Sequence, residues 1–275
     1  MSQGIDEEDL TRKQRREQAR AERKAAEEAA VSDAARRKRL TQLGGALAVV
    51  VVAIVVILLA TGGGGGSKIV ASTSPKAKTE VAAVSSLLAG TTQSGNVLGS
   101  PTAPVTLQYF GDLECPICRD FTLGALASIV QKWVKPGKLR IEYRSLETAT
   151  REPETFRNQQ VAALAAGKQN KAWDFIELFY HEQGEEGSGY VTESYLQGLA
   201  QQVPGLNLAK WTTDRSDQAL QAQIATDTQE ANNHNFTGTP SFLIGKTGGQ
   251  LKKYEYISLT DATGFNEAIE KALKS

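Results

Sequence analysis

The spacing of apolar and polar positions changes character several times along the chain. Residues 1–42 interleave charge with alanine, holding 11 Lys or Arg and 9 Asp or Glu and no aromatic side chain. No apolar face forms at any regular period, which suits a solvated helix or a disordered tail. Leu43 to Ala60 is then a run of 18 residues with no charged or strongly polar side chain. As a helix it would span about 27 Å against a hydrocarbon core of about 30 Å, so the pattern predicts a transmembrane helix over residues 43–61. A buried core segment and a cleaved signal peptide are the competing readings. Thr61 and five glycines follow the run instead of a turn back into a domain, and a leader of some forty residues is far longer than a signal peptide's charged region. An uncleaved anchor fits best.

Residues 62–95 predict a flexible linker, glycine-rich at first and then rich in Ser, Thr, Lys and Pro, with a short helix over Glu80 to Ala89. Gly95, Gly99, Pro101 and Pro104 punctuate an extended approach to a folded domain over residues 96–275. There Val105 to Phe110 reads as a buried strand. Phe121, Leu123, Leu126, Ile129, Val130 and Trp133 then give a helical stripe over Cys118 to Val134, which Pro136 and Gly137 end. Leu139, Ile141 and Tyr143 alternate with Arg140, Glu142 and Arg144, the period of a second strand. A long helical region follows over about 153–233. Ser241 to Ile244 and Leu251 to Ile257 flank a turn-rich Gly245 to Gly249 as a hairpin, and Gly264 to Leu273 supplies a closing helix. The order is β, α, β, several helices, β, β, α, an α/β domain with a helical insertion.

Composition adds little. With 31 basic and 31 acidic residues the formal charge is zero, and nothing global suggests nucleic acid. Local charge is more informative. Arg36, Arg37, Lys38 and Arg39 abut the amino side of the apolar run, whereas Lys68, Lys76 and Lys78 are the nearest cations beyond it. The denser cluster places the amino terminus in the cytoplasm and residues 62 onward outside, where disulfides form and persist.

Cys115 and Cys118 are the only cysteines in 275 residues, set in YFGDLECPICRDF between the first strand and its helix. That spacing brings two sulfurs within disulfide reach at a helix start, where backbone N–H groups and the macrodipole favour a thiolate. A structural staple, spare thiols or half a metal site are the alternatives. Closing so short a loop contributes only roughly 2 kcal/mol in the chain-entropy model, and zinc needs about four ligands where His181 and His234 are the only histidines. Redox exchange is the favoured reading. Both histidines, like Trp133, Trp173 and Trp211, suit packing or surface roles, and Glu114 suits a solvated loop position.

The segments NVLGSPTAPVTLQYFGDLECPIC, KAWDFIELFYHEQG and FTGTPSFLIG together resemble the DsbA-like family of thiol–disulfide oxidoreductases, over roughly Asn96 to Ala272. The resemblance implies a thioredoxin-like fold with a four- or five-stranded sheet and a helical domain inserted over the site. It implies Cys115 as nucleophile and Cys118 as resolving thiol, and a cis Thr239–Pro240 bond whose backbone pairs with substrate. Pro116, Ile117 and Asp112 support the motif, Asp112 by capping the loop or by moving a proton. Ile117 stands where relatives often carry histidine, and with Glu114 nearby we expect a Cys115 pKa above that of the family's strongest oxidants. No cofactor or metal is called for. The implied partners are exported proteins with free thiols and a quinone-linked membrane oxidase, DsbB-like or vitamin K epoxide reductase-like, that restores the disulfide. A reductase or isomerase kept reduced by a membrane partner, and a tethered peptide-binding module without turnover, are the rival functions.

Overall fold

A computed structural model of the chain describes residues 74–275. The transmembrane helix expected over 43–61, the charged tail and the first part of the linker lie outside these residues. Among the described residues no helix is long and apolar enough to cross a membrane.

The first element corrects the expectation of a flexible tether reaching residue 95. Pro75–Leu88 is a helix, α1, whose first turn is capped by the Ser74 hydroxyl accepting from the Ala77 N–H at 3.1 Å. Proline at its first position and a serine N-cap are strong start signals. Ala77, Val84 and Leu88 are buried, and Val84 and Leu88 join the main apolar core. This stretch is therefore part of the domain. Two short strands follow, β1 (Gln93–Ser94) and β2 (Val97–Leu98), then β3 (Val105–Gly111), with every residue buried. Such a continuous buried strand belongs at the centre of a covered sheet.

Next come α2 (Pro116–Leu123), α3 (Ala125–Ile129), which runs on through a wider π turn over Val130–Val134, and β4 (Leu139–Ser145). The continuous helix expected over 118–134 is thus broken at Gly124. A Cβ there would meet the Asp120 carbonyl at 2.5 Å and the Thr260 Cα at 2.8 Å, so glycine lets α2 pack directly on the chain that leads into the last helix. The insertion comprises α4 (Pro153–Gly167), α5 (Ala172–His181), α6 (Glu193–Gln202), α7 (Leu208–Asp214) and α8 (Gln218–Asn233). The chain closes with β5 (Ser241–Lys246), β6 (Lys252–Tyr254) and α9 (Thr263–Lys274).

Among the described residues one six-stranded sheet runs β1-β2-β4-β3-β5-β6. The four- or five-stranded expectation missed the β1–β2 hairpin, whose strands are two residues each and carry no readable alternation. β3 and β4 are parallel and the other pairs antiparallel. One sheet face carries Leu107, Tyr109, Ile141, Tyr143, Phe242 and Ile244 into the core with Phe121 and Phe265. Phe121 lies edge-on to Tyr109 and Phe242, with centroids 4.9 and 4.8 Å apart. These contacts fix α2, and with it the cysteines, above the carboxyl end of β3.

Candidate active site

Cys115 is the N-cap of α2 and Pro116 its first residue, so the Cys115 sulfur meets the unsatisfied N–H groups of the first turn. Proline loses nothing there, since its missing N–H would have had no helical partner. The thiols are free. Cys118 is fully buried, whereas Cys115 retains 5% exposure, which makes it the sulfur an incoming group reaches first. Ile117 beside it is 44% exposed, and Ile257, in the segment after β6, is 87% exposed. Burial first, and then the nearby cysteine pair, raise the Tyr256 pKa, which places its phenol near the sulfurs. Ile117 and Tyr256 thus offer exposed apolar surface near the sulfurs.

The Thr239–Pro240 peptide is cis, as the resemblance implied. The Thr239 carbonyl accepts from the Cys115 Sγ at 3.4 Å, which brings together residues 124 positions apart. Electrostatics then separate the two sulfurs. Hydrogen bonding from Cys118, opposed by burial and reinforced by Thr239 and the N–H groups of Cys118 and Ile117, pulls the Cys115 pKa down to about 6. Burial pushes Cys118 well above its ordinary value, and the adjacent Cys115 thiolate adds to that. One thiol ionises and the other supplies a proton. The Cys115 value lies above about 3.5, the figure for the most oxidising relative.

Asp112 is fully buried and acts as the anchor of the site. One carboxylate oxygen accepts the backbone N–H groups of Thr148, Ala149 and Thr150 at 3.0, 2.9 and 2.9 Å. The other takes the Glu114 N–H at 3.1 Å, the Thr150 hydroxyl at 2.6 Å and the Gln159 amide at 3.3 Å. Of the two roles left open in the sequence, loop capping accounts for all six contacts. Glu114 corrects its expectation of a solvated position. It is 3% exposed, and burial raises its carboxyl above the ordinary carboxylate range.

Three supports were not legible in the sequence. Gln183, just past α5, donates to the Leu113 and Cys115 carbonyls at 2.7 and 3.1 Å, bracing the cysteine loop from the inserted domain. Arg119 donates from Nε to the Tyr180 carbonyl at 3.0 Å. Below Cys118 the Tyr109 hydroxyl donates to Tyr180 at 3.1 Å, and Tyr180 in turn to the Asp112 carbonyl at 3.1 Å. These residues are far apart in sequence and carry no motif. The KAWDFIELFYHEQG segment was the one signal, and it does contain Tyr180 and Gln183. His181 is half-buried, its pKa lowered by that burial, and His234 stacks on Phe236 with centroids 5.9 Å apart. Trp173 and Trp211 are core, Trp211 donating to the Ala162 carbonyl at 2.8 Å. Among the described residues no group of three or more His, Cys, Asp or Glu is placed to hold a metal ion.

Comparison with known proteins agrees with this geometry. A relative described as probable disulfide bond formation protein D, from Bacillus anthracis, is 24% identical over 184 residues, 64% of this chain and 77% of its own length. Among solved structures, oxidised BdbD from Bacillus subtilis superposes with a TM-score of 0.56 at 22% identity, covering 67% of this chain and 98% of that one. The alpha-DsbA1 of Wolbachia pipientis gives 0.52 at 18% identity over 65% and 90%. At these identities the structures speak for the fold, a thioredoxin-like α/β domain with a helical insertion. The profile of the family described as Thioredoxin matches residues 91–259, more than half the sequence, and the chain belongs to that family.

Proposed function

We propose that this thiol–disulfide oxidoreductase works as an oxidase, forming disulfide bonds in exported proteins through Cys115 and Cys118. The observation that carries the reading is the divided pair: Cys115 at a helix start with its pKa drawn down to about 6, beside a buried Cys118 whose pKa is pushed up. In the oxidised enzyme a substrate thiolate attacks the Cys115 sulfur. The Cys115–Cys118 bond breaks, and Cys118 leaves with the electron pair and takes up a proton, as its raised pKa favours. A second substrate thiolate then attacks the substrate sulfur of the mixed disulfide, forming the substrate's disulfide and expelling Cys115. A thiol that ionises easily is a good leaving group, so this release is fast and the reduced enzyme is stabilised as thiolate. Two electrons pass from substrate to enzyme; of the two substrate protons Cys118 keeps one, and the other goes to solvent while Cys115 stays a thiolate.

The exposed Ile117 and Tyr256 near the sulfurs suit unfolded chains that present apolar residues next to cysteine. Thr239 and Pro240 offer such a chain a backbone edge. The apolar run over 43–61 and its flanking charges support an anchored protein with its amino terminus in the cytoplasm and this domain on the outer face. A quinone-linked membrane thiol oxidase, DsbB-like or vitamin K epoxide reductase-like, would restore the disulfide. The test is the redox potential of the pair measured against glutathione, with insulin reduction alongside. A potential near about −120 mV with slow insulin reduction supports the oxidase, whereas one near about −270 mV makes the enzyme a reductase.

A further inference from the structure

One exposed hydroxyl reaches the reacting sulfur in two steps. The Asp112 carboxylate holds the N–H groups of Thr148, Ala149 and Thr150, which fixes the backbone of that loop beside the cis-proline segment. From the loop, the Thr148 Oγ1 lies 2.5 Å from the Thr239 Oγ1, across 91 residues of sequence. Thr239 in turn holds Cys115 through its carbonyl at 3.4 Å, and hydrogen bonding by its side chain works to lower the pKa of both thiols.

A hydroxyl has one proton to give. If Thr239 donates to Thr148, that proton is lost to the sulfur; if Thr148 donates to Thr239, the Thr239 proton is free to point at Cys115. Once Cys115 carries charge, the second arrangement wins, because a hydrogen bond to an ionised acceptor is roughly twice as strong as one between neutral groups. The Thr148 donation then polarises the Thr239 hydroxyl, and each link of such a chain strengthens the next by about 10–30%. Resting on the exchange chemistry proposed above, we infer that Thr148 is a positioning residue, which turns the Thr239 hydroxyl toward Cys115 and so favours the thiolate. It acts through Thr239 and touches neither sulfur in the hydrogen-bond pattern.

The other titratable groups around the pair are Cys118 on α2, Tyr109 on β3, Tyr143 on β4 and Tyr180 on α5 beneath it, Asp112 and Glu114 on the loop before α2, Glu147 on the Thr148 loop and Tyr256 after β6. All are retained in the variants that test the inference. Thr148→Val removes the hydroxyl and keeps the shape, and Thr148→Ser keeps the hydroxyl. Thr148 is exposed, so neither change removes a core contact. Thiolate absorbance of the reduced proteins, followed against pH, should place the Cys115 midpoint about half a unit higher in Thr148→Val, a roughly threefold loss in ionisation constant, with Thr148→Ser close to wild type. In a Thr239→Val background the same Thr148→Val change should add nothing, since the link it breaks is already gone. An unmoved midpoint in Thr148→Val, or an equal increment in the Thr239→Val background, overturns the inference. A loop staple without this role would alter stability and leave the midpoint in place. Because the titration reads Cys115 directly, it stands apart from whether turnover runs as oxidation or reduction.

Discussion

Replacing Asp112 is the sharpest test of how the cysteine loop is held. Its carboxylate is fully buried and accepts six hydrogen bonds, four from backbone N–H groups. In Asp112→Ala not every donor is stranded. Thr148 is exposed and its N–H finds water, while the Gln159 amide keeps the Thr150 hydroxyl as its acceptor at 2.6 Å. The N–H groups of Glu114 and Thr150, both on buried residues, have no substitute, and Ala149 is half-buried. At about 1–3 kcal/mol for each buried donor left unpaired, the loss should be about 3–5 kcal/mol, a large part of the roughly 5–15 kcal/mol that holds a domain together. Asp112→Asn keeps the shape but turns an NH₂ toward one of two sets of donors, so it should lose about 2–4 kcal/mol and not rescue. Asp217 is the control. Its exposed carboxylate caps α8 through the Ala219 N–H at 2.9 Å, and Asp217→Ala should cost about 1 kcal/mol. Urea unfolding of the reduced proteins at one pH, analysed for midpoint and slope, measures all three. A loss below about 1 kcal/mol in both Asp112 variants would refute the reasoning, because buried donors would then be finding partners the structure does not show.

Other outcomes follow from the same structure. Folding lowers the Cys115 pKa from 9.0 to about 6, so the stability it contributes to the reduced protein is fully present above pH 9 and is lost as pH falls through about 6. Between those values stability should rise with pH, with a slope from this group below about 1.4 kcal/mol per unit, and Cys115→Ala should remove that slope in a urea series. Glu177 on α5 has the opposite sign. It is 1% exposed, with one carboxyl oxygen unpartnered, and burial together with Asp174 raises its pKa to about 8. The unfolded chain releases this proton more readily, so stability should fall as pH rises from about 4.5 toward 8. Glu177→Gln should gain about 1–3 kcal/mol at pH 8, and a loss of stability there would contradict the assignment. Gly124→Ala should cost at least about 2 kcal/mol, since both clashing groups are backbone; a thermal melt within a degree of wild type would show that α2 can shift freely.

Local chemistry made the centre of the site readable, and the surroundings depend on chain crossings that no local pattern encodes. CPIC after a buried strand fixed the two sulfurs, and the FTGTPSFLIG resemblance supplied Thr239 and Pro240 before their proximity to Cys115 was known. Asp112 was singled out with two roles, and only the tertiary fold, which brings the Thr148–Thr150 loop back onto it, supplies the N–H groups that a cap takes. Glu114 misled because a charged side chain in a turn is usually solvated, whereas here it is buried. α1 was hidden by composition: Val81, Val84, Leu87 and Leu88 carry helical spacing behind a Ser-Pro start, but the surrounding Lys, Thr and Ser resemble a linker. Thr148 offered no signal, since one threonine among many gains its meaning from a contact 91 residues away.

The central claim is that Cys115 is the ionised, reachable thiol of the pair and Cys118 its protonated, buried partner. Limited alkylation of the reduced protein across pH, with the modified sulfur located by peptide mass mapping, tests it most directly. The account predicts label on Cys115 alone, at a rate that rises with a midpoint near pH 6. Equal labelling of both sulfurs, or a midpoint at the ordinary thiol value of about 8.5, would contradict it.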